Sequence, residues 1–104
     1  MATIREIKGG EFEAAVAQGT VLAEFGATWC SSCKMLGAVL AQAAKDAPET
    51  ASIVKLDVDE CQELAAKLGV GTLPTLFLYQ DGQVVKTLTG VQSRVKLIEL
   101  LTNA

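Results

Sequence analysis

The chain contains no histidine. That removes the commonest side-chain metal ligand and the one group that titrates near neutrality without help from its surroundings. Basic residues are not in excess either: 9 Lys and Arg stand against 12 Asp and Glu, for a net charge of -3. With no basic stripe to neutralise phosphates, nucleic acid is excluded as the main partner. No apolar stretch approaches bilayer-spanning length, and "MATIREIKGGEFE" has no apolar signal core, so no membrane association and a cytoplasmic address are expected. Cysteines number 3, which is odd and too few for a disulfide scaffold; in a reducing compartment, any disulfide formed here is expected to be transient. There are only 2 prolines and 1 tryptophan, so the position of each carries information.

What is abundant is apolar: 50% of the 104 residues are hydrophobic and 20% charged, as expected of a single globular domain over residues 1–104 that buries its core without metals or cross-links. "TIREIK" reads as a short strand and "GGEFEAAVAQG" as a short helix ended by Gly19. "TVLAEFGA" is nearly continuous in apolar residues, the pattern of a central strand covered on both faces. Leu36, Val39, Leu40, Ala43, Ala44 and Ala47 then recur at helical spacing until Pro48. "ASIVKLDVD" is a second apolar strand. Asp59, three residues before Gln62, resembles a capping box for the helix "ECQELAAKL". "TLFLY" and "QVVKTLTG" flank Asp81-Gly82, a hairpin turn that makes them antiparallel neighbours. "VQSRVKLIELLTNA" closes the chain as a helix with Val95, Ile98 and Leu101 on one face. The alternation predicts an α/β protein with one mixed sheet and helices on both faces.

The densest chemistry lies in "ATWCSSCKML". If a helix starts near Ser31, Cys30 sits at its N-terminus, where free backbone N–H groups and the helix dipole stabilise a thiolate. Cys33, one turn on, shares the same face and can reach the first sulfur, the spacing a resolving thiol needs. Glu24 is the only charge in its strand. Burial there would raise its pKa and make it a proton acceptor for Cys33; an edge or bent strand would leave it in water instead. Lys55, alone in "SIVKLDV", either points toward Glu24 or reaches out to solvent. Pro74 is either the first residue of a strand or a cis-proline.

Together these residues resemble the thioredoxin family over nearly the whole chain. A W-C-x-x-C-K opening a helix, an acid six residues upstream and a Thr-Leu-Pro-Thr before a hairpin carry the resemblance, with "IVKLDVD" similar to the family's third strand. It implies a thioredoxin fold of about five strands flanked by four helices, and a protein-disulfide reductase cycling between Cys30-Cys33 dithiol and disulfide. Cys30 would be the nucleophile and Cys33 the resolving thiol, with Glu24 the buried acid, Lys55 its neighbour and Pro74 a cis-proline. Trp29, the Thr72-Leu73-Pro74 backbone and the loop Gly90-Val91-Gln92 would line a groove for extended substrate segments. The implied partners are protein disulfides and a thioredoxin reductase, either an NADPH-dependent flavoprotein or a ferredoxin-linked enzyme. No cofactor is expected to be bound, and the chain is expected to be a monomer. Departures stand beside the match. Ser31-Ser32 replace the usual Gly-Pro, Gly26 stands where tryptophan is common, and Ala38 stands where a proline usually kinks the helix. The added donors at Ser31 and Ser32 should stabilise the thiolate and make the chain a weaker reductant.

Two other readings use the same residues. Cys30, Cys33 and Cys61 could supply three thiolates to zinc, but the fourth ligand would have to be a carboxylate or water. The fold could alternatively serve a disulfide oxidase or isomerase, or a binding module with an idle motif; the missing signal peptide and the aliphatic Leu73 before Pro74 speak for reduction. Cys61 reads as a half-buried small apolar residue, or as a redox-sensing or dimer-forming thiol.

Overall fold

The structure is a computed structural model that describes residues 1–103. Its elements follow the expected order: β1 (Thr3–Glu6), α1 (Phe12–Val16), β2 (Thr20–Gly26), α2 (Ser31–Asp46), β3 (Ala51–Asp57), α3 (Gln62–Lys67), β4 (Thr75–Gln80), β5 (Gln83–Thr89) and α4 (Arg94–Asn103). The strands form one sheet in the order β1-β3-β2-β4-β5, with β1, β3 and β2 parallel and β4 and β5 antiparallel to their neighbours.

The apolar run in β2 follows from its central place. Side chains alternate between the two faces of a strand. Leu22 enters a core with Leu36 and Leu40 of α2 and Leu97 and Leu101 of α4. Val21, Ala23 and Phe25 enter a second core, with Phe12 of α1 and Ala65 of α3. Each large apolar side chain buried this way stabilises the fold by roughly 1.5–3 kcal/mol. The scarce aromatics are concentrated in the second core: Phe12 meets Phe25 and Tyr79 edge-on at 5.6 Å, and Phe25 meets Phe77 at 5.7 Å. Gln80 pairs with Gln83 across the hairpin, leaving Asp81 (φ 51°) and Gly82 (φ 86°) as the two turn residues. Both positive angles match the twist of the flanking strands.

Two local expectations are corrected. Asp59 does not cap α3: Val58–Glu60 form a 3₁₀ turn, capped by Asp57 Oδ1 accepting from Asp59 N at 2.9 Å, and Cys61 stands at the start of α3. On α4, Leu101 is buried and Ile98 packs against the core as expected, together with Leu97 and Leu100, but Val95 is 70% exposed. Ser93 Oγ accepts from Lys96 N at 3.1 Å, which sets the start of the helix so that within its first turn Leu97 meets the core and Val95, two positions earlier, faces solvent.

Topology gathers the loops that matter. The parallel strands β2 and β3 end together, with Gly26 opposite Asp57. β4 runs the other way, so its first residue, Thr75, pairs with Phe25 and with Thr89, the last residue of β5. The segments after β2, β3 and β5 and the segment before β4 therefore meet at one end of the sheet.

Candidate active site

Cys30 is the N-cap of α2, in extended conformation (φ -94°, ψ 112°), and Cys33 lies in the first turn. The Cys33 amide donates to Cys30 Sγ at 3.2 Å, which is how a capping side chain satisfies one of the free N–H groups at a helix start. The two sulfurs are joined as a disulfide, with the Cα atoms 5.2 Å apart. Ser32 Oγ lies 3.3 Å from Cys30 Sγ, whereas Ser31 is exposed. Of the two serines, it is Ser32 whose hydroxyl reaches a sulfur.

Glu24 sits beneath this pair. It is on the α2 face of the central strand, 2% exposed, between Lys55 on β3 and Leu76 on β4. An edge-strand or solvated Glu24 is ruled out. Glu24, Cys33 and Lys55 line one cavity of about 680 Å³. Burial pushes the Glu24 carboxyl up to about 7, with the charge of Lys55 pulling the other way. Lys55 points inward: its Nζ lies 3.4 Å from where a Cβ on Gly37 of α2 would stand. Among the described residues, no ion pair within 4.0 Å joins Lys55 to Glu24. Lys55 acts on the acid across the cavity.

Around the disulfide the surface is set by three loops. Trp29 is 69% exposed, so it is no core residue, and its indole N–H donates to Asp59 Oδ2 at 2.7 Å. The Leu73-Pro74 peptide is cis. Gly90 N donates to Pro74 O at 2.9 Å, and Gln92 Nε2 donates to Thr89 O at 3.0 Å and to Gly90 O at 3.2 Å, tying the loop of Gly90, Val91 and Gln92 to the proline loop. Thr75 Oγ1 donates to Thr72 O. Thr72 and Val91 are exposed and Leu73 half-buried.

Asp59 is the neighbour that sequence reasoning assigned elsewhere. The signal was the pair Asp57 and Asp59 directly after a strand that ends beside the cysteines; the first acid shapes the turn and frees the second for Trp29. Cys61 stands apart: its thiol donates to Asp57 O at 3.2 Å, and burial, with Asp57 and Glu60 nearby, pushes its pKa up. A redox-sensing Cys61 would need the opposite shift. Among the described residues, no group of three or more Cys, Asp or Glu is arranged to hold a metal ion.

Two cysteine sulfurs held within bonding reach, one receiving an amide hydrogen at a helix start, can take up and release two electrons by opening and closing one S–S bond. On this topology that chemistry defines the thiol–disulfide oxidoreductases of thioredoxin fold. Known proteins agree: a family model described as Thioredoxin matches residues 3–103. Thioredoxin of Bacillus subtilis (strain 168) is 44% identical over 90 residues, covering 86% of each chain. Thioredoxin of Listeria monocytogenes is 39% identical over 98 residues, 94% of this chain and 95% of that protein. A mutant thioredoxin from Halobacterium salinarum NRC-1 superposes with a TM-score of 0.81 at 34% identity, over 99% of this chain and 93% of that one. Chloroplastic thioredoxin z gives 0.86 at 27% identity, over 97% and 93%. The chain belongs to the thioredoxin family, and is a protein-disulfide reductase working through the Cys30-Cys33 pair.

Proposed function

We propose that Cys30 is the attacking sulfur, Cys33 the resolving sulfur and Glu24 the proton acceptor between them. The observation that carries this reading is the Cys33 N–H donating to Cys30 Sγ at the start of α2, an interaction that grows stronger when the sulfur is negative. The Cys30 thiolate attacks one sulfur of a target disulfide; that S–S bond breaks, one target thiolate leaves, and a mixed disulfide forms. The Cys33 thiol then passes its proton to the Glu24 carboxylate, and its sulfur attacks Cys30 Sγ. The second target thiolate leaves, Cys30-Cys33 closes as a disulfide, and the target has gained two electrons. A carboxyl that titrates near 7 suits the task, because it is both free to accept the proton and able to release it afterwards. Lys55 keeps that carboxyl from rising further.

Trp29, the backbone of Thr72, Leu73 and Pro74, and Gly90, Val91 and Gln92 form the docking groove. The support is their convergence at the sheet end that carries the disulfide, where Trp29, Thr72 and Val91 are all exposed. Such a surface suits an extended segment of a target protein. Ser32 tunes the reduced form through its hydroxyl. The chain works as a monomer in the cytoplasm, binds no cofactor, and is re-reduced by a thioredoxin reductase, NADPH-dependent or ferredoxin-linked.

Reduction of insulin disulfides tests the roles. Neither Cys30→Ser nor Cys33→Ser should turn over, and only Cys33→Ser should accumulate a covalent adduct with the target. Turnover by Cys30→Ser would overturn the assignment. Supplying electrons through purified reductases of each class identifies the donor.

A further inference from the structure

Gly26 ends β2 two residues beyond Glu24, on the same strand face, buried against the start of α2. Its backbone does not call for glycine: the positive angles in the chain fall at Gly19, Gly69, Gly82, Gly90 and Asp81. Gly26 pairs in register with Asp57 like any strand residue. A glycine inside a strand weakens it by roughly 0.5–1 kcal/mol, and its usual reason is another group approaching closely. Here that group is identifiable. A Cβ placed on Gly26 would stand 2.5 Å from Glu24 Oε2, 3.0 Å from Cys33 Sγ and 3.3 Å from Cys33 Cβ. The carboxylate and the resolving sulfur thus occupy the space that any side chain at position 26 would need. Both atoms lie within 3.0 Å of one point, which makes them near neighbours.

We propose that Gly26 is a positioning residue for the resolving step: its missing side chain is the seat in which the Glu24 carboxylate lies against Cys33. The proposal rests on the reading of Glu24 as proton acceptor. The reason is one of length. A glutamate is one methylene longer than an aspartate, and on a strand its carboxylate reaches over the residue two positions on, so a side chain there competes with it directly. Of the two groups a Cβ would meet, the carboxylate yields first. It ends a flexible chain beside an open cavity, whereas the sulfur is on a short, buried side chain fixed in the first turn of α2. A displaced carboxylate swings toward Lys55 and away from Cys33. The charged groups facing that cavity are Glu6, Lys8, Lys34, Lys55, Asp57 and Glu60. Closer approach to the lysines and to water favours the ionised acid and lowers its titration point.

The test follows the resolving step alone. The mixed disulfide between Cys30 and the chromogenic thiol 5-thio-2-nitrobenzoate is formed at acidic pH, where the Cys33 thiol stays protonated, and release of the chromophore by Cys33 is timed after a stopped-flow jump to each pH across the neutral range. In the unaltered chain the rate should bend near the titration point of Glu24, about 7. Glu24→Gln should abolish that bend; if it does not, the proton-acceptor reading falls, whatever Gly26 does. Gly26→Ala should slow release on the order of tenfold, part of what a positioned base supplies, and move the bend to lower pH. In a Glu24→Asp background, where the acid stops short of the seat, Gly26→Ala should cost little. The seat is refuted if Gly26→Ala keeps the parent's rate and bend, or if it costs the same factor in the Glu24→Gln background. Should Gly26→Ala alone unfold, Glu24→Asp is expected to rescue it; a double variant that also unfolds assigns the clash to Cys33 and overturns the proposal.

Discussion

The indole N–H of Trp29 donates to Asp59 Oδ2 at 2.7 Å, joining the loop before α2 to the turn after β3. An exposed tryptophan with a free ring would sample many rotamers and lose them on binding. The bond to Asp59 removes that freedom beforehand and holds the ring as a rigid wall beside the disulfide.

Releasing the ring should therefore weaken docking but leave the sulfur chemistry intact. Asp59→Ala loses one hydrogen bond, about 1 kcal/mol at an exposed place. Catalytic efficiency toward a protein disulfide should fall several-fold, with little change toward a small disulfide such as oxidised glutathione. Tryptophan fluorescence anisotropy should drop in parallel. Equal losses on both substrates would assign Asp59 to the thiols instead.

Glu24 makes stability depend on pH in a direction its burial fixes. Its carboxyl titrates near 4.5 in the unfolded chain and near 7 in the fold. Between those values the native state holds a proton that the unfolded state has lost, so stability falls as pH rises through the window. The full cost is about 3 kcal/mol, present above pH 7 and absent below pH 4.5. Glu24→Gln does not titrate. Urea unfolding should find it more stable than the parent at pH 8 by up to that amount, with the advantage shrinking toward pH 5. A constant difference across the range would contradict the buried acid.

Ser32, not Ser31, should set the reduction potential. Its hydroxyl is 3.3 Å from Cys30 Sγ, and replacing it by proline also removes a backbone donor. Loss of about 1 kcal/mol of stabilisation from the thiolate makes the pair more reducing by about 20–30 mV. Equilibration with glutathione should show most of this shift in Ser32→Pro and little in Ser31→Gly. A Ser31→Gly, Ser32→Pro variant no more reducing than the parent would remove the tuning role.

Helix α4 offers a test of packing. Leu97 is fully buried against the sheet and Val95 is 70% exposed. Leu97→Ala should cost about 2–5 kcal/mol in chemical unfolding, and Val95→Ala no more than about 0.5 kcal/mol. The reverse order would mean that the helix presents its other face.

The sequence by itself determined the order of elements, the hairpin at Asp81-Gly82 and the two thiols at a helix start. These follow from short-range rules: apolar periodicity, turn chemistry and a spacing of three along one helix. Inter-strand register is different, because it joins residues far apart in the chain. Only the tertiary structure decided that Glu24 is buried in the central strand beside Lys55, that Lys55 points inward, and that Asp59 holds Trp29 instead of capping α3. Val95 left the expected stripe of Ile98 and Leu101 for the same reason: helical spacing defines a face, and only the sheet beneath decides how far that face is covered. Gly26 shows the division within one residue, since its sequence position said only that a side chain was missing, and the fold put a carboxylate and a sulfur in the space left behind.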